Sequence, residues 1–193
     1  GDVTENFLAT MASMSELGID GSVIQVKTVE QISTLDGLII PGGESTVIGQ
    51  MSLVNGAIKK IKEKIESGMP VFGICAGMVF LSKNSQDRIV GNVDQPLLDI
   101  LDVKIERNSF GRQKDSFEAK ISMEPIGISS FHGVFIRAPS VSETGSGVEV
   151  LAKFNEKIVA VKQGNVIATA FHPELTKDTS LHKSFVKLVD NQS

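Results

Sequence analysis

The stretch that decides the fold is "MPVFGICAGMVFL", residues 69–81. Residues 69–74 form an unbroken apolar run behind Gly68. A run with no polar face cannot border water on either side, so it predicts a central strand covered on both faces. It stops at Cys75, set in a G-x-C-x-G frame by Gly73 and Gly77 and followed by a helix-compatible segment. A strand that turns sharply into a helix at such a residue has the form of a nucleophile elbow, which lifts a reactive atom above the sheet. Cys75 is the chain's single cysteine, so it can neither close an internal disulfide nor build a cysteine-rich metal site. A buried small hydrophobe is the bland reading of a lone cysteine. The flanking glycines and the strand before them favour a reactive sulfur, with the start of a helix favouring its thiolate.

Working outward, Phe7, Leu8, Met11, Met14 and Leu17 recur at helical spacing before Gly18 and predict an amphipathic helix. "SVIQVK" (22–27) and "GLIIP" (37–41) are short β-rich runs and predict strands. "NGAIKKIKEKIESG" (55–68) predicts a helix with Ile58, Ile61 and Ile65 on one face and a solvated face of lysines and glutamates. The alternation of helix and buried strand argues for βαβ units and a parallel sheet. From about residue 103, "DVKIERNS", "SFEAKISM", "GVFIRAP", "VEVLAKF", "KIVAVKQ" and "NVIATAF" predict strands on short turns, partly antiparallel. "SLHKSFVKLVDN" (180–191) predicts a last amphipathic helix.

At 193 residues the chain suits one domain, 1–193, around one core. Its 41% hydrophobic and 22% charged residues are ordinary for a globular protein. A net charge of −4 with interspersed signs offers no field for nucleic acid, and no apolar run is long enough to cross a membrane. A cytoplasmic location is expected, with no metal and no cofactor.

A thiolate nucleophile needs a proton-transfer partner, and the chain has three histidines. His182 falls in the last helix and reads as a surface histidine; His132 has no carboxylate nearby in sequence. His172 differs, because "AFHPELT" ends a β run and places Glu174 two residues on. In an extended segment those two side chains point the same way, so the carboxylate can orient the imidazole or stabilise its cation. Cys75, His172 and Glu174 thus form a candidate triad. "PGGEST" (41–46) follows a strand, and Gly42–Gly43 there could offer backbone N–H groups to an oxyanion. It lacks the lysine of a phosphate-binding loop.

"PGGEST", "GICAG" and "FHPEL", in this order, resemble the class I, triad-type glutamine amidotransferases. "ERNSFGRQ" (106–113), "DSFE" (115–118), "GVFIRAP" (133–139) and "FHPELT" (171–176) narrow the resemblance to the glutaminase subunits of pyridoxal 5′-phosphate synthase, the vitamin B6 enzyme. The resemblance implies a flavodoxin-like three-layer α/β/α sandwich with a mixed, mostly parallel central sheet. It implies hydrolysis of glutamine through a Cys75 thioester, with His172 moving protons and Glu174 holding His172. It implies glutamine contacts from Gly43, Glu44, Ser45, Arg107, Ile136 and Arg137, and an oxyanion hole at Gly43 and Ala76. The ammonia would pass to a (βα)₈-barrel synthase subunit in a large hetero-oligomer, so that both hydrolase and lyase headings are expected. The family opens with an apolar strand and a Leu-Gln-Gly turn, whereas "GDVTENF" matches the residues just after them, so that strand is expected before Gly1. A glutaminase serving another synthase, a cysteine peptidase relative, and a catalytically degenerate binding domain are the readings left open.

Overall fold

The structure, a computed structural model, describes residues 3–45, 48–49, 56–87, 91–92, 95–110 and 116–192. Parts of the quoted blocks, residues 1–2, 46, 55, 111–113 and 115, lie outside the described residues. The helices are α1 (Val3–Leu17), α2 (Val29–Ile32), α3 (Ala57–Glu66), α4 (Ala76–Leu81) and α5 (Ser180–Asp190). The strands are β1 (Leu38–Ile40), β2 (Val71–Ile74), β3 (Ser82–Asp87), β4 (Gly91–Asn92), β5 (Leu101–Arg107), β6 (Ser116–Met123), β7 (Ile128–Ile136), β8 (Ser140–Thr144), β9 (Glu149–Phe154), β10 (Lys157–Gln163) and β11 (Val166–Thr169). Short 3₁₀ turns lie at Glu124–Ile126 and Pro173–Leu175.

The apolar run at 71–74 becomes β2, buried at every residue as its composition requires. It pairs in parallel with β1 on one side, Ile40 opposite Gly73, and with β11 on the other, Thr169 opposite Ile74. Its side chains alternate between two covered faces. Phe72 packs its ring on Phe185 of α5 with centroids 5.9 Å apart. Gly73, on the opposite face, lies so near α4 that an added Cβ would be 2.4 Å from a methyl of Leu81. Beyond this block the sheet continues β11–β10–β8–β5–β3–β4, with β9 on β10 and a separate β6–β7 hairpin. The sheet is therefore mixed, as expected, and parallel where it carries the site.

Three expectations fail, each for a tertiary reason. Residues 22–27 form no strand. No described strand pairs with them, and Ile24 is left 45% exposed. A β-branched run without a neighbour cannot satisfy its backbone groups as a strand.

The helix of the first segment forms, but its apolar stripe faces outward. Leu8 is 60% and Met11 43% exposed, while Asn6, Thr10 and Ser13 are buried. Those polar groups can be buried because each is bonded. Thr10 and Ser13 return their hydroxyls to the carbonyls of Asn6 and Ala9 at 2.7 Å, and the Asn6 Oδ1 lies 3.0 Å from His182 Nε2 on α5. Glu16 adds an ion pair to Lys183.

His182, read as a surface histidine, is fully buried beneath this contact. It packs edge-on against Phe72. The sequence also missed β3 and β8, whose polar segments "SKNSQD" and "SVSET" are held as strands by neighbours distant in sequence.

Candidate active site

The parallel block brings two separate strand ends together. Cys75 follows β2 at φ 51°, ψ −102°, a conformation L-residues rarely adopt, and its N–H donates to the Thr169 carbonyl at 2.7 Å. Backbone held in a sparsely populated region persists only where its surroundings over-determine it. Here β11 supplies one anchor and α4 the other. An added Cβ at Gly77 would lie 2.1 Å from the Ile40 carbonyl oxygen, so the helix can start there only without a side chain. At six residues, α4 is short and contributes little dipole to the sulfur.

His172 follows β11 three residues after Thr169 and is nearly buried, its N–H bonded to the Val134 carbonyl at 2.8 Å. Its Nδ1 lies 2.9 Å from Glu174 Oε1. The expected pair is therefore present, though a 3₁₀ turn starting at Pro173, and not a straight strand, bends the carboxylate back to the ring. His172 also hydrogen-bonds Cys75. Burial alone would lower the imidazole's pKa; the hydrogen bonds to Cys75 and Glu174, with the negative charge of both, outweigh it and push His172 up to about 10. The Cys75 sulfur lies 4.0 Å from the Ile136 carbonyl oxygen.

The two glycines of "PGGE" do different things. A Cβ on Gly42 would lie 2.5 Å from His172 Cε1, so this residue makes room for the imidazole. Gly43 has φ 141°, a backbone suited to glycine.

The residues open onto a cleft of about 310 Å³ lined by every expected contact: Gly43, Glu44, Ser45, Ala76, Arg107, Ile136 and Arg137, with Cys75 and His172. Within it Arg107 Nη2 and Glu44 Oε1 pair at 2.9 Å. Sequence reading named both but not their contact. It missed Asn108, also in the lining, which has φ 52° and donates from Nδ2 to Asp87 Oδ2 at 2.8 Å. It missed Gln95 as well, whose Oε1 accepts from Ser45 Oγ at 3.3 Å. Asn108 sits in the quoted "ERNSFGRQ", and asparagine's tolerance of a left-handed backbone was a signal available there. Gln95 gave no local signal. His132 lies outside the cleft, exposed and paired with Glu118 across the hairpin at 2.7 Å.

A nucleophilic sulfur, a protonated imidazole and a buried carboxylate in sequence suit covalent attack on a carbonyl carbon. The paired charges in the cleft suit a small zwitterion. Among the described residues no group of three or more His, Cys, Asp or Glu is placed to hold a metal ion, and no helix is long and apolar enough to cross a membrane.

Known proteins share this arrangement's sequence. The chain is 63% identical over 189 residues to pyridoxal 5′-phosphate synthase subunit PdxT of Nitrosopumilus maritimus, covering 98% of this chain and 92% of that one. It is 49% identical over 191 residues to the subunit of the same name from Methanothermobacter thermautotrophicus, covering 99% and 93%. A crystal structure of a glutamine amidotransferase superimposes with a TM-score of 0.83 at 42% identity, covering 95% of this chain and 93% of the other. The family model that matches, over residues 1–191, is described as the SNO glutamine amidotransferase family. Taking ammonia from glutamine with water is a hydrolysis, so this finding overturns the expected lyase heading. With the matched residues spanning the fold and the cleft, the chain belongs to the SNO glutamine amidotransferase family.

Proposed function

We propose that this chain is the glutaminase subunit of a pyridoxal 5′-phosphate synthase. The observation that carries the reading is the hydrogen-bonded line Cys75, His172, Glu174 opening onto a cleft of small-molecule size. The identity to relatives that bear the synthase-subunit name supports it.

Glutamine enters with its α-carboxylate towards Arg107 and its α-ammonium towards Glu44, exchanging the internal ion pair for two intermolecular ones. Ser45, Ile136 and Arg137 complete the contacts. The Cys75 sulfur attacks the side-chain amide carbon, and the carbonyl electrons move to oxygen, beside the backbone of Gly43 and Ala76. As the tetrahedral species collapses, the C–N bond breaks and the imidazolium of His172 protonates the departing nitrogen, which leaves as ammonia. Neutral His172 then takes a proton from water, whose oxygen attacks the glutamyl thioester. Glutamate leaves and the sulfur is restored. Glu174 stays ionised throughout and holds the ring in place.

Ammonia released into water would be protonated and lost, so it passes directly to the synthase subunit, a (βα)₈ barrel in a large hetero-oligomer within the cytoplasm. The test is glutamate release by the chain mixed with a synthase subunit, alongside Cys75→Ala, and trapping with an electrophilic glutamine analogue. The expected result is release that Cys75→Ala abolishes, with the adduct on Cys75. Release equal in both proteins, or an adduct elsewhere, would refute the reading.

A further inference from the structure

Three of the segments that line the cleft come from the end of β5, from β7 and from the end of β11, and one ring of β7 touches the other two. Phe135 is fully buried. It precedes Ile136, whose carbonyl faces the Cys75 sulfur. Its ring centroid is 5.7 Å from Phe110, two residues after Asn108, and 5.4 Å from Phe171, the residue before His172. Phe117 stacks on it at 4.6 Å with planes 4° apart, and Phe154 closes the group at 5.7 Å.

The segments it joins hold unusual backbones. Arg137 has φ 44° and Asn108 φ 52°. Such conformations need support from outside. Two hydrogen bonds supply part of it: Ser109 N–H to the Ala138 carbonyl at 3.2 Å, and His172 N–H to the Val134 carbonyl at 2.8 Å. These bonds tie the segments in pairs. The aromatic group spans all three at once, and Phe135 is its shared member.

We propose that Phe135 is a positioning residue, whose ring sets the spacing between the Arg107–Asn108 segment, the Ile136–Arg137 turn and His172. A branched aliphatic side chain there would fill part of the volume yet leave Phe110 and Phe171 without their common wall. The two sides of the cleft would then drift relative to each other. A shift of about 1 Å at a reacting centre can cost on the order of 100-fold.

The inference rests on the glutaminase reading for its kinetic arm and not for its chemical arm. The full chain with its synthase subunit is assayed for glutamate release, and the pH dependence of Cys75 alkylation by iodoacetamide is measured on the same proteins. Phe135→Leu is compared with Phe185→Leu, a buried ring of α5 that packs on Phe72 of β2. The expected result for Phe135→Leu is a fall in kcat and a rise in KM, together lowering kcat/KM about tenfold or more. Its alkylation profile moves along the pH axis, because His172 no longer sits as closely on the sulfur. Phe185→Leu lowers Tm but leaves both readouts within about twofold. Should Phe135→Leu fail to fold, Phe117→Leu, on a partly buried ring, takes its place with a smaller change of the same kind. The proposal is overturned by a folded Phe135→Leu or Phe117→Leu with wild-type kinetics and alkylation, or by Phe185→Leu matching the loss. If the unaltered chain releases no glutamate, the functional reading falls and the alkylation comparison alone decides this one.

Discussion

His172 and His182 are both buried, and their surroundings drive them in opposite directions. His172 is pushed up to about 10 and His182 down to about 4. Burial penalises the cation in both. What differs is the partner: His172 has a carboxylate and a sulfur, whereas His182 has a neutral amide at Nε2, a phenyl edge from Phe72 and, among the described residues, no hydrogen bond at Nδ1. The comparison teaches that depth alone makes a histidine neutral and structural, and that a negative partner of equal depth makes it an ion suited to proton transfer.

The same contrast governs stability against pH. A folded-state pKa above the ordinary 6.5 means that His172 stabilises the fold fully below pH 6.5 and loses this as pH rises through about 10. His182, with its pKa lowered, costs nothing above pH 6.5 and destabilises progressively as pH falls towards 4.

Breaking the ionic side of the comparison carries the largest effect. Cys75→Ala or His172→Ala should reduce glutamate release at least about 10⁴-fold, measured at saturating glutamine. Glu174→Gln keeps the shape of the contact but removes the charge, so turnover should fall about 100-fold or more and the alkaline limb of the pH–rate profile should move to lower pH. Turnover that matches the unaltered chain would show that the carboxylate's charge is not what raises His172. Gly42→Ala leaves every charge in place and moves only the ring, through the 2.5 Å approach to Cε1. A loss of about 100-fold is expected, with the fold retained by circular dichroism.

The structural side is sharpened by His182→Leu. Activity should stay within about twofold, while the decline of Tm between pH 6.5 and 4 flattens, since the lost contribution is on the order of 3 kcal/mol. A decline that persists unchanged would assign it to other groups. The smallest effect belongs to the third histidine. His132 is exposed and paired with an exposed Glu118, so His132→Gln should change neither turnover nor Tm measurably.

Much of the site could be read before the fold was seen. Cys75 was legible because a strand, a pair of glycines and a helix-compatible run are all local features, and His172 with Glu174 because they sit two residues apart. Gly43, Glu44, Ser45, Ala76, Arg107, Ile136 and Arg137 were named through a resemblance of short blocks, and all reach the cleft. Their contacts were less legible. Glu44 and Arg107 are 63 residues apart, and nothing in either block says that they pair. Ser45 and Gln95 are 50 apart. In the fold, the helical spacing of residues 7–17 predicted a helix without saying which face would be covered. Residues 22–27 show the same limit from the other side, since β propensity proposes a strand and only a neighbour can make one.

What the sequence determined by itself is what adjacent residues can settle among themselves: the buried strand at 71–74, the turn at Cys75, and the carboxylate that accompanies His172. Backbone preference and side-chain spacing act over a few residues, and those distances are printed in the chain. The tertiary structure alone decided which residues Glu44 and Ser45 meet, which side of α1 is covered, and how one phenylalanine comes to join three parts of the cleft. Such contacts join segments far apart along the chain, and they come into being only when burial of the whole core brings those segments to one place.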